Sequence, residues 1–430
     1  MAEDSEIFLG YDIRGIYPKD LNERKAFDIG RAIGTIVGKS KVFLNYDTRM
    51  GSMAIKDHVT RGLILSGATV YELGMGPVTV PAFASFAENA YGISITASHN
   101  PPAYTGILVY KNGVSLEPGV IKKVYESGRF SQKVGKPVPF FYDDRYEKYL
   151  LNGFRKVDIK CGLDSMGGAT TFIGKSMFEK AVSDLDMLNE GVSSTFGGRN
   201  PEPSIENSKP LAKMVRRNRL NFGVQFDADG DRVGFVDENG VFLDSMTTAL
   251  IIIKYTKPRK VIAGVDCSPV LEEYADVEYT KVGRLNIENK MKTKKYDFGV
   301  ESAHHFSFGR YFPFPDGLLT GLVFAKLLKE SGSRVSEIVK ELPRSHYTRI
   351  YTKFTSENAR QKKMADIKKR ADKFKDTIKI DGVRINFEDG FLLFRESNTE
   401  PIIRAYYDSK TNKGLKAIEK VAKEILGNGK

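Results

Sequence analysis

Four short polar segments carry side chains that can do chemistry together. The first reads Thr96-Ala97-Ser98-His99-Asn100-Pro101-Pro102. A serine beside a histidine, held by a Pro-Pro turn at the end of a β-branched run, is placed to be a nucleophile or phosphate carrier. In isolation, the same S-H-N-P string is more often an ordinary Asn-Pro turn. The second segment is Asp227-Ala228-Asp229-Gly230-Asp231-Arg232. Three carboxylates at alternate positions repel one another unless something neutralises them. Their oxygens suit a hard cation such as Mg²⁺. An EF-hand is excluded even though Glu238 stands twelfth from Asp227. Arg232 fills the sixth position, where that loop needs glycine, and strand-like runs flank the segment.

The third segment, Gly299-Val300-Glu301-Ser302-Ala303-His304-His305, holds two of the five histidines. No matching zinc ligands accompany them. A histidine and a carboxylate beside a reacting hydroxyl suit acid–base work near neutral pH. The fourth is Arg395-Glu396-Ser397-Asn398-Thr399-Glu400-Pro401, between the strand-like FLLF and IIRAYY. A guanidinium followed by hydroxyl and amide donors in a tight turn makes a phosphate cradle, with Arg404 placed to support it. The plain alternative is a polar hairpin turn.

Elements of alternating type must position these segments. Residues 41–46, 69–73 and 91–96 read as strands around a helical pattern over 55–65. The alternation recurs at 160–163 and at 260–265. It predicts parallel βαβ units with both sheet faces covered. From Tyr347 the pattern changes to strand, lysine-rich helix, two strands around Gly390 and a final helix over 414–426. The expected architecture is three similar α/β domains (1–148, 149–244, 245–346) and a smaller α+β domain (347–430). Ligands of open α/β sheets bind at strand ends, so the four loops belong there.

The chain has 430 residues, 41% hydrophobic and 28% charged, values of a globular protein with several cores. Two cysteines far apart, Cys161 and Cys267, exclude a disulfide scaffold and favour a reducing, cytoplasmic setting. The first ten residues are acidic and no long apolar stretch follows, so neither a signal peptide nor a membrane association is expected. The net charge is +12, of which 20 basic and 12 acidic residues fall after Arg344. Met364, Ile367, Ala371 and Phe374 recur at helical spacing within that region. The charge is therefore read as a solvated helix face, and no nucleic acid is expected.

Taken together and in order, the four loops resemble those of the α-D-phosphohexomutase family, closest to its phosphomannomutase/phosphoglucomutase branch. Tyr11-Asp12-Ile13-Arg14-Gly15, Gly198-Arg199-Asn200-Pro201-Glu202-Pro203 and Asp316-Gly317 resemble further signatures, and the resemblance covers essentially the whole chain. It implies four domains around a central cleft, each giving one loop. It implies that Ser98 carries a phosphoryl group and that Asp227, Asp229 and Asp231 hold Mg²⁺ together with a phosphoserine oxygen. Glu301 would bind sugar hydroxyls, and Arg395, Ser397, Asn398 and Thr399 the non-reacting phosphate. His99 and His305 are the implied acid–base groups, with Arg14 and Arg232 as cationic supports. The implied reaction moves phosphate between C1 and C6 of glucose or mannose through a hexose 1,6-bisphosphate, in a monomer or homodimer. The same mechanism on a pentose or amino sugar, and a phosphosugar-binding paralogue of low activity, are the alternatives. Three departures bear on this. Leu108 stands where the family has a lysine, and Ala103 where it has an acid. Ala303-His304 replaces Ser-Gly, which makes His304 a candidate substitute cation or sugar contact.

Overall fold

The computed structural model describes residues 6–10, 12–396 and 402–426. Its strands form four sheets that follow one another along the chain. The first holds β1 (Ile13–Ile16), β2 (Lys41–Tyr46), β3 (Thr69–Met75), β4 (Tyr91–Ile95), β5 (Tyr104–Lys111), β6 (Val114–Ser115) and β7 (Lys136–Pro139). Their order is β1-β5-β4-β2-β3-β7, with β6 on β5. The second holds β8 (Val157–Asp164), β9 (Val182–Met187), β10 (Phe222–Phe226), β11 (Val233–Asp237) and β12 (Phe242–Leu243), ordered β12-β11-β10-β8-β9. The third, ordered β14-β13-β15-β16, holds β13 (Lys260–Gly264), β14 (Asp276–Thr280), β15 (Phe298–Val300) and β16 (Phe306–Phe308). The fourth is antiparallel throughout, ordered β17-β21-β20-β19-β18. It is made of β17 (Thr348–Lys353), β18 (Thr377–Ile378), β19 (Val383–Phe387), β20 (Gly390–Glu396) and β21 (Ile402–Ser409).

The architecture is that of three α/β layers and a smaller α+β unit, with one correction. The first three sheets are not wholly parallel. β5 runs antiparallel to β4, β11 to β10 and β16 to β15. The reason is loop length: residues 96–103, 227–232 and 301–305 are too few for the crossover of a dozen or more residues that a parallel partner needs. One unit therefore recurs three times: a buried parallel strand, a polar loop at its C-terminal end, and an antiparallel return. The β20–β21 hairpin is its counterpart in the fourth sheet.

Helices Glu23–Val37 and Ser52–Ile64 cover one face of the first sheet, and Thr79–Ala87 and Asp143–Leu150 the other. The first pair approach closely at Gly62, where a Cβ would stand 2.3 Å from the Phe27 carbonyl oxygen. One continuous apolar core runs from Phe43 through all three α/β sheets to Leu342. Helix Gly317–Ser331 explains that continuity. It follows the third sheet in sequence but lies on the second, with Phe324 stacked on Phe235 at 4.1 Å and Gly321 over Phe178. Its Leu318, Leu319, Leu322, Leu327 and Leu328 are buried, each contributing about 1.5–3 kcal/mol. Among the described residues, no helix is long and apolar enough to cross a membrane. Cys161 and Cys267 are free and buried.

The fourth sheet has its own core. The lysine-rich helix Glu357–Ala371 turns Met364, Ile367 and Ala371 inward, beside Ile418 and Ala422 of helix Asn412–Leu426. Its opposite face meets the third sheet through Val265, Phe391, Leu393 and Tyr406. Arg384 is wholly buried at this joint. It donates to the carbonyls of Val265 (2.8 Å) and Cys267 (2.9 Å) and lies 4.2 Å from the ring centroids of both Tyr279 and Phe391. Arg384→Met would leave both carbonyls unpaired, at about 1–3 kcal/mol each. Limited proteolysis near residues 343–347 should then quicken, while the main melting transition of the first three sheets keeps its temperature.

Candidate active site

The acidic loop is fastened from all three α/β sheets. Val78 N–H donates to the Asp229 carbonyl (2.9 Å), Ala169 N–H to the Ala228 carbonyl (2.8 Å) and Gly317 N–H to the Gly230 carbonyl (3.0 Å). Gly230 takes φ +82°, which a β-carbon would make strained, and a Cβ there would strike Thr170 Cγ2 at 2.3 Å. The loop gathers the Asp227, Asp229 and Asp231 carboxylates, all buried, with oxygens within 4.8 Å of one another. Asp229 Oδ1 is buried with no hydrogen-bond partner among the described residues. Three hard oxygen donors, one of them orphaned, fit a divalent cation.

Charge is distributed unevenly over the three. Burial, then Asp229 and Asp231, hold the Asp227 carboxyl well above its ordinary value. Burial, Asp231 and Asp47 push Asp229 up to about 6. Burial acts on Asp231 too, but His305, Arg284 and Arg232 outweigh it and hold it well below the carboxylate range.

The serine loop meets this cluster directly. Ser98 Oγ lies 3.0 Å from Asp227 Oδ2, and Thr96 Oγ1 donates to Asp229 Oδ2 at 3.0 Å. Ser98 is buried and sits at φ +48°, a left-handed conformation uncommon for a residue with a side chain. His99 Nδ1 is 3.4 Å from Ser98 Oγ. Burial, with Arg232 and Arg14 nearby, brings its pKa down to about 2, so the ring is neutral. Arg14, on β1, donates to Asn100 Oδ1 and Asp12 Oδ2 and thus ties the opening segment to this loop.

The third loop reaches the same carboxylates. His305 Nδ1 is 3.0 Å from Glu301 Oε2, and its Nε2 is 3.2 Å from Asp231 Oδ1. Burial opposes charge on this ring, but Asp231 and Glu301 prevail and raise its pKa above the ordinary value. Arg232 Nε donates toward His305 Nε2 at 3.2 Å, so Arg232 and Asp231 compete for the same ring nitrogen. Glu301 additionally accepts from Gly283 N–H (3.0 Å). His304 departs from its expectation. Its ring packs against Phe242, with centroids 5.5 Å apart, and its Nδ1 is buried without a partner among the described residues. Burial lowers its pKa to about 4, so it carries no charge at neutral pH and is not a substitute cation.

Arg395 and Arg404 stand directly opposite each other on β20 and β21. Like charges in that register repel unless an anion joins them. Arg395 Nε donates to Asp381 Oδ2 at 2.8 Å, and Asp381 accepts from Val282 N–H at 3.0 Å. Tyr11, Ser397, Asn398 and Thr399 lie outside the described residues.

Three parts of the site were not read from the sequence as site residues. Arg284, in the first turn of helix Arg284–Met291, donates to Asp231 Oδ2, pairs with Glu288 (3.0 Å) and lies over Phe314. Glu288 accepts from Ser115 N–H of β6 (2.6 Å), which joins the third unit to the first. No motif announces this pair. Arg49, after β2, lies beneath the serine loop; the only hint is its place two residues beyond a strand-ending aspartate. Asp316 was read as a signature, and its task is now visible. It caps helix Gly317–Ser331 through Leu319 N–H (3.0 Å) and accepts from Tyr146 Oη (2.6 Å), so that Gly317 N–H is aimed at the acidic loop. Of the departures, Leu108 is buried in the apolar core opposite Ser94. The exposed Ala103 uses only its carbonyl, which accepts from Tyr17 N–H (2.9 Å).

A serine hydroxyl against a metal-type carboxylate triad, ringed by cations where three sheets meet, defines a phosphoryl-transfer class of site. The comparisons with known proteins are specific. The sequence matches the descriptions Phosphoglucomutase/phosphomannomutase, alpha/beta/alpha domain I over residues 5–132, domain II over 140–240 and domain III over 244–346, and the C-terminal domain over 353–425. The chain belongs to the phosphoglucomutase/phosphomannomutase family of phosphohexomutases. It is 30% identical to a probable phosphoglucosamine mutase of Pyrococcus furiosus, over 96% of each chain. It is 28% identical to a phosphomannomutase of Methanocaldococcus jannaschii, over 99% of this chain and 98% of that one. The solved structure of a phosphoglucomutase/phosphomannomutase family protein from Burkholderia thailandensis superposes with a TM-score of 0.90 at 24% identity, covering 99% of this chain and 97% of that one.

A carboxyl whose pKa is raised in the fold holds a proton that the unfolded chain has released. The metal-free protein should therefore lose stability as pH rises from about 4 to about 6. Asp229→Asn removes one of the repelling charges. At pH 7 it should stabilise the metal-free protein by on the order of 2 kcal/mol. It should also abolish the thermal shift that Mg²⁺ gives the parent protein. Scanning calorimetry with and without Mg²⁺ reads both effects.

Proposed function

We propose that this protein is a Mg²⁺-dependent phosphosugar mutase that moves a phosphoryl group between C1 and C6 of a hexose phosphate, by way of phosphorylated Ser98 and a hexose 1,6-bisphosphate. The observation that carries the reading is the 3.0 Å approach of Ser98 Oγ to Asp227 within the buried carboxylate triad. Asp227, Asp229 and Asp231 would hold the Mg²⁺, which when bound supplies positive charge to the phosphoryl oxygens.

The chain's own groups divide the remaining work. His99, 3.4 Å from Ser98 Oγ, is placed to exchange the serine's proton, and His305, held by Glu301 and Asp231, is placed to exchange that of the sugar hydroxyl. Arg14 and Arg232 add cationic support beside the serine loop and the triad. Glu301, its carboxylate held by Gly283 and His305, is the contact for sugar hydroxyls. Arg395 and Arg404, with Ser397, Asn398 and Thr399, are the seat for the phosphate that does not react. In the forward half, the bond from Ser98 Oγ to phosphorus breaks as a sugar hydroxyl oxygen takes the phosphorus, and the hydroxyl's proton is relayed to the departing Ser98 Oγ, which leaves as the serine hydroxyl. The bisphosphate then turns end for end, and Ser98 Oγ receives the other phosphoryl group. His304, turned onto Phe242, has no part in this scheme.

Glucose or mannose phosphate is the first reading of the substrate. Glucosamine phosphate is the second, favoured by the name of the Pyrococcus furiosus relative. A cytoplasmic setting goes with either, supported by two buried unpaired thiols. The test is ³¹P NMR of the enzyme with Mg²⁺, catalytic hexose 1,6-bisphosphate and the 1-phosphates of glucose, mannose, glucosamine and ribose together. Growth of one hexose 6-phosphate signal identifies the sugar. Ser98→Ala and excess chelator should each lower that rate at least about 10³-fold. No turnover by a folded, phosphorylated protein would overturn the mutase reading.

A further inference from the structure

The strongest single-residue device outside the groups already assigned is Arg49. Strand β2 ends at Tyr46, opposite Ile95 of its parallel neighbour β4, so the segments that follow the two strands lie side by side. The Arg49 side chain is fully buried. Its Nε donates to Asp47 Oδ2 at 2.9 Å. Nη1 donates to the carbonyls of Pro101 (2.7 Å) and Tyr104 (3.1 Å), and Nη2 to those of Ser98 and Asn100 (2.8 Å). All five guanidinium N–H groups are thereby used. The face of the ion is covered by Phe196 of the second unit, 4.9 Å from ring centroid to Cζ. Asp47 is fixed in turn, accepting from Arg49 N–H (3.0 Å) and from Ser52 Oγ.

Every side-chain hydrogen bond of this arginine other than that to Asp47 is to the backbone of one loop. That loop holds Ser98 at φ +48°, which a residue with a β-carbon keeps only when its surroundings impose it. Four carbonyls drawn onto one planar cation fix the loop over residues 98–104. The serine Oγ is then delivered to Asp227 by geometry set from below. A lysine has one compact charge and cannot reproduce a planar fork on four acceptors.

We propose that Arg49 is the positioning residue of the phosphoryl-transfer loop, acting through the backbone and touching neither sugar nor phosphate. The inference rests on the reading of Ser98 as the phosphoryl carrier.

Two variants test it, Arg49→Lys and Phe196→Leu. Each is compared with the parent in kcat and KM for the hexose phosphate it turns over, in phosphoserine content after hexose 1,6-bisphosphate, and in hydrogen exchange across the chain. For Arg49→Lys the expected result is a kcat lower by about 10²-fold, the cost of a small misplacement of the reacting atom, with KM unchanged. Faster exchange should be confined to residues 96–104, and Phe196→Leu should show the same pattern to a smaller extent. Parental kcat and loop protection in Arg49→Lys would overturn the proposal. So would a loss of protection spread over the first sheet, which marks a merely structural role. If Arg49→Lys does not fold, Phe196→Leu decides by the same readings. If the parent turns over no hexose phosphate, the mutase reading fails on that ground. The exchange data then still report separately whether Arg49 holds the loop.

Discussion

Three carboxylates with oxygens within 4.8 Å, all out of contact with water, are the constraint on which the rest of this molecule depends. Such a cluster cannot persist in an apolar interior on its own, because each charge forfeits its hydration and repels the other two. The surroundings answer in two ways. Cations stand on Asp231: His305 and Arg284 take its two oxygens. Backbone amides from the first, second and third units pin the loop itself. What remains is Asp229, with one oxygen unsatisfied. The protein thus stores an electrostatic cost at the place where a divalent cation would relieve it.

This arrangement accounts for features that look unrelated in the sequence. The antiparallel return after each central strand exists because the loop between them is short, and a short loop keeps its polar residues at the sheet end. Repeating that unit three times brings Ser98, Asp227 and Glu301 to equivalent positions on successive sheets. The fourth sheet offers its hairpin instead, and it is joined less intimately. It has a separate core, and a small apolar cluster together with the Arg384 cation–aromatic sandwich joins it to the third sheet.

Much of this was legible because strands and loops are encoded locally. The runs 41–46, 91–96 and 260–265 are apolar and bounded by polar turns, and strands form over Lys41–Tyr46, Tyr91–Ile95 and Lys260–Gly264. The lysine-rich helix was legible for the same reason, with its apolar residues at helical spacing. The antiparallel returns were missed because strand periodicity carries no direction. Arg49, Arg284 and Glu288 were missed for a different reason. Their partners lie 49 or more residues away in sequence for Arg49 and Ser98, and farther for Arg284 and Asp231 or Glu288 and Ser115. An arginine that will be buried against distant carbonyls looks, in a sequence, like one that will be solvated. His304 shows the converse: its ring packs against Phe242 and is uncharged at neutral pH, so it does not supply the cation that its place beside His305 suggested.

Helix Gly317–Ser331 has a consequence for the order in which the molecule can be made. Its first residue fastens the acidic loop, and its Phe324 covers Phe222 and Phe235 of the second sheet. On the ribosome, strand β11 is finished at Asp237, but this cover is complete only at Ser331. At about 5–20 residues per second that interval lasts roughly 5–20 s. Throughout it the nascent second unit presents two phenylalanines without their cover and an acidic loop without its third fastening. Vectorial synthesis therefore completes the fastening of the acidic loop only after the helix that follows the third sheet has been made.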